Sequence, residues 1–298
     1  MSSDRVLVVS TNPAVDVEWR VDRLLPEEKN EVLSEHRWPG GKGINVARWL
    51  RVLGDDPEII LPIGGETGTE LVRGLRQEKI EHHAVRITGA NRANVVVTTK
   101  AQGQFRLNPT WPVLQPMEVW GLADAVRRRL KRCSRLVLSG ALVRGAPPDL
   151  YAQWVQEGRE AGCRVFLDCD GDAFRLAIKA RPFLVKPNLH ELEQWAGDSL
   201  TDSTKREAAA RALASVTGGW VLVSLGAGGA FLVGADNASL WHRSALKVPV
   251  RNTVGAGDAM LAGVVHACGR GDSPGKWLRT GIETSARCVR RAAGDVVL

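Results

Sequence analysis

The sequence predicts an α/β fold: a mostly parallel central sheet, helices on its faces, and a small β-sheet set apart from it as a lid. Three observations predict this. Short β-branched runs recur along the chain. Helical patterns stand between many of them. Two stretches break that rhythm with alternating polar and apolar residues.

The runs are "VLVVS" (6–10), "EIILPIG" (58–64), "RLVLSG" (135–140), "RVFLDC" (164–169), "FLVKPN" (183–188), "WVLVSLG" (220–226) and "AFLVG" (230–234). Most are almost continuously apolar, as strands buried on both faces are. The segments "INVARWLRVL", "DLYAQWVQEGREAG", "TKREAAARALASV" and "DAMLAGVVHACG" carry the helical period between them. Strand–helix alternation of this kind builds a parallel sheet covered on both sides. Residues 15–37 and 91–110, with "VDVEWRV" and "ANVVVTT…GQFRL", read as antiparallel strands outside the main sheet. No repeat, low-complexity segment or linker interrupts the chain, so residues 1–298 read as one domain.

Composition narrows the classes of function. Hydrophobic residues are 44% and charged residues 24%, ordinary for a globular protein. No apolar run approaches the roughly 20 residues that cross a membrane. The opening "RVLVVS" is too short for a signal-peptide core, and the chain reads as cytoplasmic, with no membrane partner. The net charge of +7 suits anionic metabolites as well as nucleic acid. The densest basic run, "RRRLKRCSR" (127–135), reads as a helix end entering a strand, and no nucleic-acid motif accompanies it. The five cysteines lack C-x-x-C spacing and read as reduced, buried thiols. His82, His83, His190 and His266 have no metal spacing, and the ten tryptophans read as packing.

Ligands of open parallel sheets bind at the carboxyl ends of the strands. "SGALVRG", "DCDGD", "KPNLHE" and "SLGAGG" each follow a strand directly. The densest constellation is "NTVGAGDAM" (252–260). Gly255 and Gly257 allow a sharp turn, and the first N–H groups of the following helix form a seat for an anion. Asp258 stands at that helix start, where the helix dipole favours its charged form. The same pattern also fits a plain helix start capped by Asp258. A second glycine-rich helix start, "PGGKGINVARWLRVLG" (39–54), places Gly41, Lys42 and Asn45 where they can hold a polyhydroxylated or anionic ligand. Neither G-x-x-x-x-G-K-[ST] nor G-x-G-x-x-G occurs, so a nucleotide site has to be built otherwise.

These motifs resemble those of the ribokinase-like, or PfkB, carbohydrate kinase family. "GGKGINVA" is similar to its N-terminal signature and "NTVGAGDAMLAG" to its C-terminal one. "STNPAVD" (10–16), "LPIGGETG" (61–68), "KPNLHELE" (186–193) and "SLGAGGAFLV" (224–233) follow in the family's order, so the resemblance spans the whole chain. N-P-x-x-D, the asparagine before T-V-G-A-G-D, and K-P-N resemble the branch of 1-phosphofructokinases and tagatose-6-phosphate kinases. The resemblance implies a three-layer fold with a β-sheet lid, and an ATP- and Mg²⁺-dependent kinase of a phosphorylated ketohexose. Fructose 1-phosphate leads the acceptors, with tagatose 6-phosphate or fructose 6-phosphate next. A kinase of an unphosphorylated sugar or nucleoside, and a silent sugar-binding regulator, are the alternatives.

By resemblance, Asp258 is the base, and the N–H groups of Gly255, Ala256 and Gly257 form the anion hole for the transferring phosphoryl group. Asp16, Gly41, Lys42 and Asn45 hold the sugar, and Arg92 holds its phosphate. Lys186, Asn188, Ser224, Gly226 and Gly229 line the ATP side, and Glu191 acts on Mg²⁺ through water. Taken bare, Asp16 also fits a turn former, Arg92 an exposed lid residue, and Glu191 a first-turn helix acid. The family implies a homodimer clasped through the lid. Departures from the branch fall on "NEV" (30–32), "NPTWPVL" (108–114), "SGALVRG" and "LDCDG", which surround the acceptor pocket in the family.

Overall fold

A computed structural model describes residues 5–100, 102–234, 236, 239–292 and 295. The other positions of the 1–298 span, including 101 in the second lid stretch, lie outside the described residues.

In chain order the elements begin with β1 (Val6–Val9), β2 (Ala14–Val21), β3 (Ser34–Gly40), α1 (Lys42–Leu53), β4 (Pro57–Ile63), α2 (Gly65–Gln77), β5 (Glu81–Arg86), β6 (Arg92–Thr99) and β7 (Gln104–Leu107). Next come α3 (Pro116–Leu130), β8 (Arg135–Ser139), α4 (Leu150–Glu160), β9 (Arg164–Asp168), α5 (Gly171–Ala177), β10 (Leu184–Val185), α6 (Leu189–Ala196) and α7 (Ser203–Thr217). The last are β11 (Trp220–Ser224), β12 (Ala230–Val233), β13 (Leu240–Arg243), α8 (Ala256–Gly269) and α9 (Pro274–Val289).

Among the described residues the main sheet runs β13-β12-β11-β10-β9-β8-β1-β4-β5. It is parallel from β5 to β11, and β12 and β13 close it antiparallel. The strand pleat sends alternate side chains to opposite faces. Val6 and Val8 point to a core shared with α1, α2, α8 and α9. Leu7 and Val9 point to the other core, with α3, α4, α5, α6 and α7. This is the three-layer arrangement the apolar runs predict. β5, "EHHAVR", lacks an apolar run because an edge strand is only half covered. The expected strand over 183–188 is short: only Leu184 and Val185 pair as a strand.

The lid forms a separate four-stranded sheet, β3-β2-β6-β7. Its pairing corrects the expectation of antiparallel strands. β2–β3 and β6–β7 are antiparallel, but the central β2–β6 pair is parallel. The reason is topological. β3, α1, β4, α2 and β5 lie between β2 and β6, which gives the crossover that parallel neighbours need.

α8 is buried at every position from Asp258 to Val265. It packs on α9 at a contact only glycine permits: a Cβ on Gly263 would stand 2.7 Å from the Thr280 carbonyl oxygen. The tryptophans divide. Trp154 and Trp277 are buried, but Trp111 and Trp120 are exposed, which corrects their uniform reading as packing. The basic run is solvated only in its first part, with Arg127 on Glu157, Arg128 on Asp124 and Arg129 on Glu58; Arg135 is buried against Asp55, which corrects the reading of the whole run as a solvated face. The cysteines are all free, and four of them are buried. No helix among the described residues is long and apolar enough to cross a membrane.

Candidate active site

Two glycine turns far apart in sequence meet at the carboxyl ends of the main strands. Gly41, at φ +96°, opens α1, and Gly255, at φ +79°, opens α8. Both values belong to the left-handed region that suits glycine. The Asn45 side chain crosses between the turns. Its Nδ2 donates to Asp258 Oδ2 at 2.8 Å, across 213 residues of sequence.

Asp258 does not cap its helix. Gly255 occupies the cap position, and no side chain bonds there. The ladder of α8 starts with Ala259 N–H on the Gly255 carbonyl oxygen, while Ala256 N–H makes only a long 3.4 Å contact with Thr253 O. Gly257 and Asp258 N–H have no backbone acceptor among the described residues and belong to the same first turn as the Asp258 carboxylate. Burial, with the neighbouring Asp168 charge adding to it, pushes the Asp258 carboxyl up to about 6. This corrects the expectation drawn from the helix dipole. Desolvation of a fully enclosed carboxylate outweighs the partial charge of a helix end.

Asp168 ends β9 and is completely buried. Lys42 Nζ lies 3.0 Å from its Oδ1, and Lys186 Nζ lies 3.1 Å from its Oδ2. Burial opposes the charge on Asp168, but Lys186 and Lys42 together hold its carboxyl below the ordinary value. Asp168 in turn pushes the Lys42 ammonium well above the usual lysine range. Lys42 Nζ also approaches Glu191 Oε1 at 3.7 Å. Lys186 is 4% exposed, and its Nζ lies 3.5 Å from where a Cβ on Gly257 would stand. Both lysines therefore border the α8 turn.

On the lid side, Asp16 is buried on β2 opposite Trp38 and Asn94. Its Oδ1 accepts from Asn94 Nδ2 at 2.8 Å. Burial raises its carboxyl, against the pull of Asn94, Arg48 and Arg92. Gly40 makes room for it, since a Cβ there would stand 2.0 Å from Asp16 Oδ2. Arg92, at the start of β6, is half-buried and donates only to carbonyl oxygens, those of Pro109 at 3.2 Å and Asn12 at 3.4 Å. Its Nε, Asn12 Oδ1 and Asn94 Oδ1 are buried without a hydrogen-bond partner among the described residues. Orphaned buried polar atoms are costly, and so many on one wall mark a place made for a polar ligand.

The remaining residues gather at the ends of β10 and β11. Asn188 and Ser224 stand side by side in an isolated parallel bridge. Asn188 and Glu191 form a capping box on α6: Glu191 N–H donates to Asn188 Oδ1 at 2.9 Å, and Asn188 N–H donates to Glu191 Oε2 at 2.8 Å. Glu191 is thus a first-turn helix acid, and its other oxygen turns towards Lys42. Gly226, at φ +57°, has open space where a Cβ would be. Gly229 serves packing, because a Cβ there would meet the Arg243 carbonyl oxygen at 2.1 Å.

The profile of the pfkB family carbohydrate kinases matches residues 4–296. The chain belongs to that family. It is 36% identical to a 1-phosphofructokinase of Rhodobacter capsulatus over 265 residues, covering 88% of this chain and 83% of the relative. It is 32% identical to a 1-phosphofructokinase of Haemophilus influenzae over 290 residues, covering 96% and 91% of the two chains. Its fold matches the crystal structure of phosphofructokinase-2 from Escherichia coli in complex with potassium, with a TM-score of 0.90 and 28% identity. That match covers all of this chain and 95% of the other.

In this carbohydrate kinase a chain of contacts links many of the sequence-marked residues: Asn45 bonds Asp258, Lys42 and Lys186 share Asp168, Lys42 approaches Glu191, and Asn188 stands against Glu191 and Ser224. Asp16 and Arg92 stand on the lid strands β2 and β6. Several residues of this site escaped the sequence reading. Asp168 lay in "DCDGD", marked only as a turn after a strand, with no role given to its carboxylate. Arg48, Glu78 and Asn94 act through contacts between elements, which linear spacing does not reveal. The only available signal was the placement of Arg48 one helical turn after Asn45.

Proposed function

We propose that the chain is an ATP- and Mg²⁺-dependent kinase of a phosphorylated ketohexose, with fructose 1-phosphate as the leading acceptor and tagatose 6-phosphate or fructose 6-phosphate next. Its two 1-phosphofructokinase relatives support this choice. The observation that carries the chemistry is the buried Asp258 carboxylate beside the first N–H groups of α8.

With its carboxyl near 6, Asp258 is ionised at neutral pH and still basic enough to receive a proton. The acceptor oxygen forms its bond to the γ-phosphorus, the bond to the β-phosphate oxygen breaks, and the hydroxyl proton passes to Asp258. Charge on the transferring group faces the N–H groups of Gly255, Ala256 and Gly257, with the Lys186 ammonium beside them. Such a loose transition state is served chiefly by positioning and charge. Asp16, Gly41, Lys42 and Asn45 hold the sugar, and Arg92 takes its phosphate. Asn188, Ser224, Gly226 and Gly229 border the nucleotide, with Gly226 leaving it room.

The Asp168 and Glu191 carboxylates are hard oxygen donors of the kind that suits Mg²⁺. Both already face an ammonium group, which favours contact with the ion through water. When bound, the ion supplies charge neutralisation on the ATP phosphates.

The chain works in this reading as one domain, with the small sheet as lid. Two copies pair through the lids, and five free cysteines suit a reducing cytoplasm. Purified protein and ATP, assayed by coupled ADP release against a panel of sugar phosphates and neutral sugars, test the proposal. Preference for a phosphoketose supports it. Preference for a neutral sugar or nucleoside replaces it, and no turnover on any acceptor points to a silent sugar-binding protein.

A further inference from the structure

The Arg48 guanidinium, one turn after Asn45 on α1, is engaged on every nitrogen. Its Nε donates to Glu78 Oε2 at 2.6 Å, and one Nη donates to Glu78 Oε1 at 2.8 Å and to the Pro39 carbonyl oxygen at 2.6 Å. Its other Nη donates to Asn45 Oδ1 at 2.9 Å. Asn45 Nδ2 then donates to Asp258. The Arg48 and Glu78 side chains are only 11% and 4% exposed. Glu78 comes from the end of α2, so the chain of contacts links α2, α1 and α8.

We propose that Arg48 and Glu78 are positioning residues for proton transfer: Glu78 holds the Arg48 fork, and Arg48 fixes the Asn45 amide so that its N–H₂, not its carbonyl oxygen, meets Asp258. The inference rests on the reading of Asp258 as the base.

The two ends of an amide have nearly the same shape and opposite polarity. Turned one way, Asn45 donates to the Asp258 carboxylate and favours the charged, proton-accepting form. Turned the other way, it sets a carbonyl oxygen against that carboxylate and favours the protonated form. A guanidinium can only donate, so its Nη–H admits only the amide oxygen. The two-pronged grip of Glu78 keeps that donor from rotating away. Lysine in its place would carry the charge but could not serve both partners in a fixed plane. Other charged or titratable groups around Asp258 are Asp168 on β9, Lys42 on α1, Lys186 after β10 and the Cys288 thiol on α9. Asp16 on β2 faces Arg48. These groups set the baseline on which the amide acts.

The test compares kcat and kcat/KM between about pH 5 and 9 for the wild type, Asp258→Asn, Arg48→Lys, Glu78→Gln and the double variant Arg48→Met with Glu78→Met. Replacing both partners of a buried pair with apolar side chains avoids stranding one charge, so the double variant is the one expected to fold. Its kcat should fall about tenfold, a usual cost of losing an orienting contact. The acid limb of its kcat/KM profile should move up by about half a pH unit or more. Arg48→Lys and Glu78→Gln should move the limb in the same direction, with the KM for ATP unchanged, and they carry the same readout if the double variant does not fold. An unmoved limb in folded variants, or full recovery of the wild-type limb by Arg48→Lys, overturns the inference. If Asp258→Asn is then inactive, the base reading still stands. Normal turnover by Asp258→Asn overturns the base reading itself, and this inference with it.

Discussion

Lys42 reaches across 126 residues to Asp168, its Nζ 3.0 Å from Oδ1. The contact ties the first residue of α1 to the last residue of β9, and Lys186 binds the same carboxylate from the other side. One buried acid thus holds two ammonium groups. Lys42, assigned by resemblance to the sugar, also stands against the Asp168 and Glu191 carboxylates.

Asp168→Asn should be strongly destabilising, because it leaves the buried Lys186 without its counterion and Lys42 with Glu191 alone at 3.7 Å. Breaking a buried pair on one side costs about 3–5 kcal/mol. Urea unfolding would measure this. The depressed Asp168 carboxyl also gives the sign of a pH effect. Its contribution to stability is present above the ordinary carboxylate range and is lost as pH falls through its lowered value. An unchanged urea midpoint would show that the cluster contributes nothing to the fold.

Asp258→Asn should keep the fold and ATP binding but lower turnover by at least about a hundredfold, as expected for loss of a positioned base. The wild-type kcat/KM should fall on the acid side of about pH 6, where Asp258 takes up its proton. Stability has the opposite sign. A carboxyl raised by folding stabilises most below its unfolded value, near about pH 4, and that contribution is lost as pH rises through about 6. The variant should therefore melt no lower than the wild type at neutral pH. A folded Asp258→Asn enzyme with near-normal turnover would remove this residue from the mechanism.

Arg92→Ala should raise the KM of a phosphorylated acceptor about ten- to a hundredfold, since a hydrogen bond to a charged group contributes roughly 1.5–3 kcal/mol. The KM for ATP should hardly change. Among the described residues Arg92 donates only to carbonyl oxygens and makes no ion pair, so its fork can turn to a phosphate. Equal losses for both substrates would mean that Arg92 only shapes the lid.

The lid segments expose Val32, Leu33, Phe105 and Leu107. Leu33 adjoins one edge strand of the lid sheet and Leu107 lies on the other; apolar side chains so exposed are better covered than wet, and a second lid could cover them. Light scattering at micromolar concentration should give a dimer, and Leu33→Lys with Leu107→Lys should give a monomer. A fully active wild-type monomer would refute assembly through this face.

Much of this protein was determined by its sequence alone. The buried parallel strands follow from continuous β-branched runs, and α1, α4, α7 and α8 from helical periods, because these signals are local. The glycine turns at 39–43 and 255–257 were legible for the same reason: backbone geometry near a helix start depends on a few adjacent residues. β5 and β13 were not legible, since strands at the sheet edges need no continuous apolar run. Only the tertiary structure decided the parallel pairing of β2 with β6, the orientation of Asn45 between Arg48 and Asp258, and the two lysines on Asp168. It also reversed the expected effect on Asp258. A helix dipole can be read from the chain, but the depth at which a carboxylate is buried, and the charges brought beside it, depend on how distant segments pack.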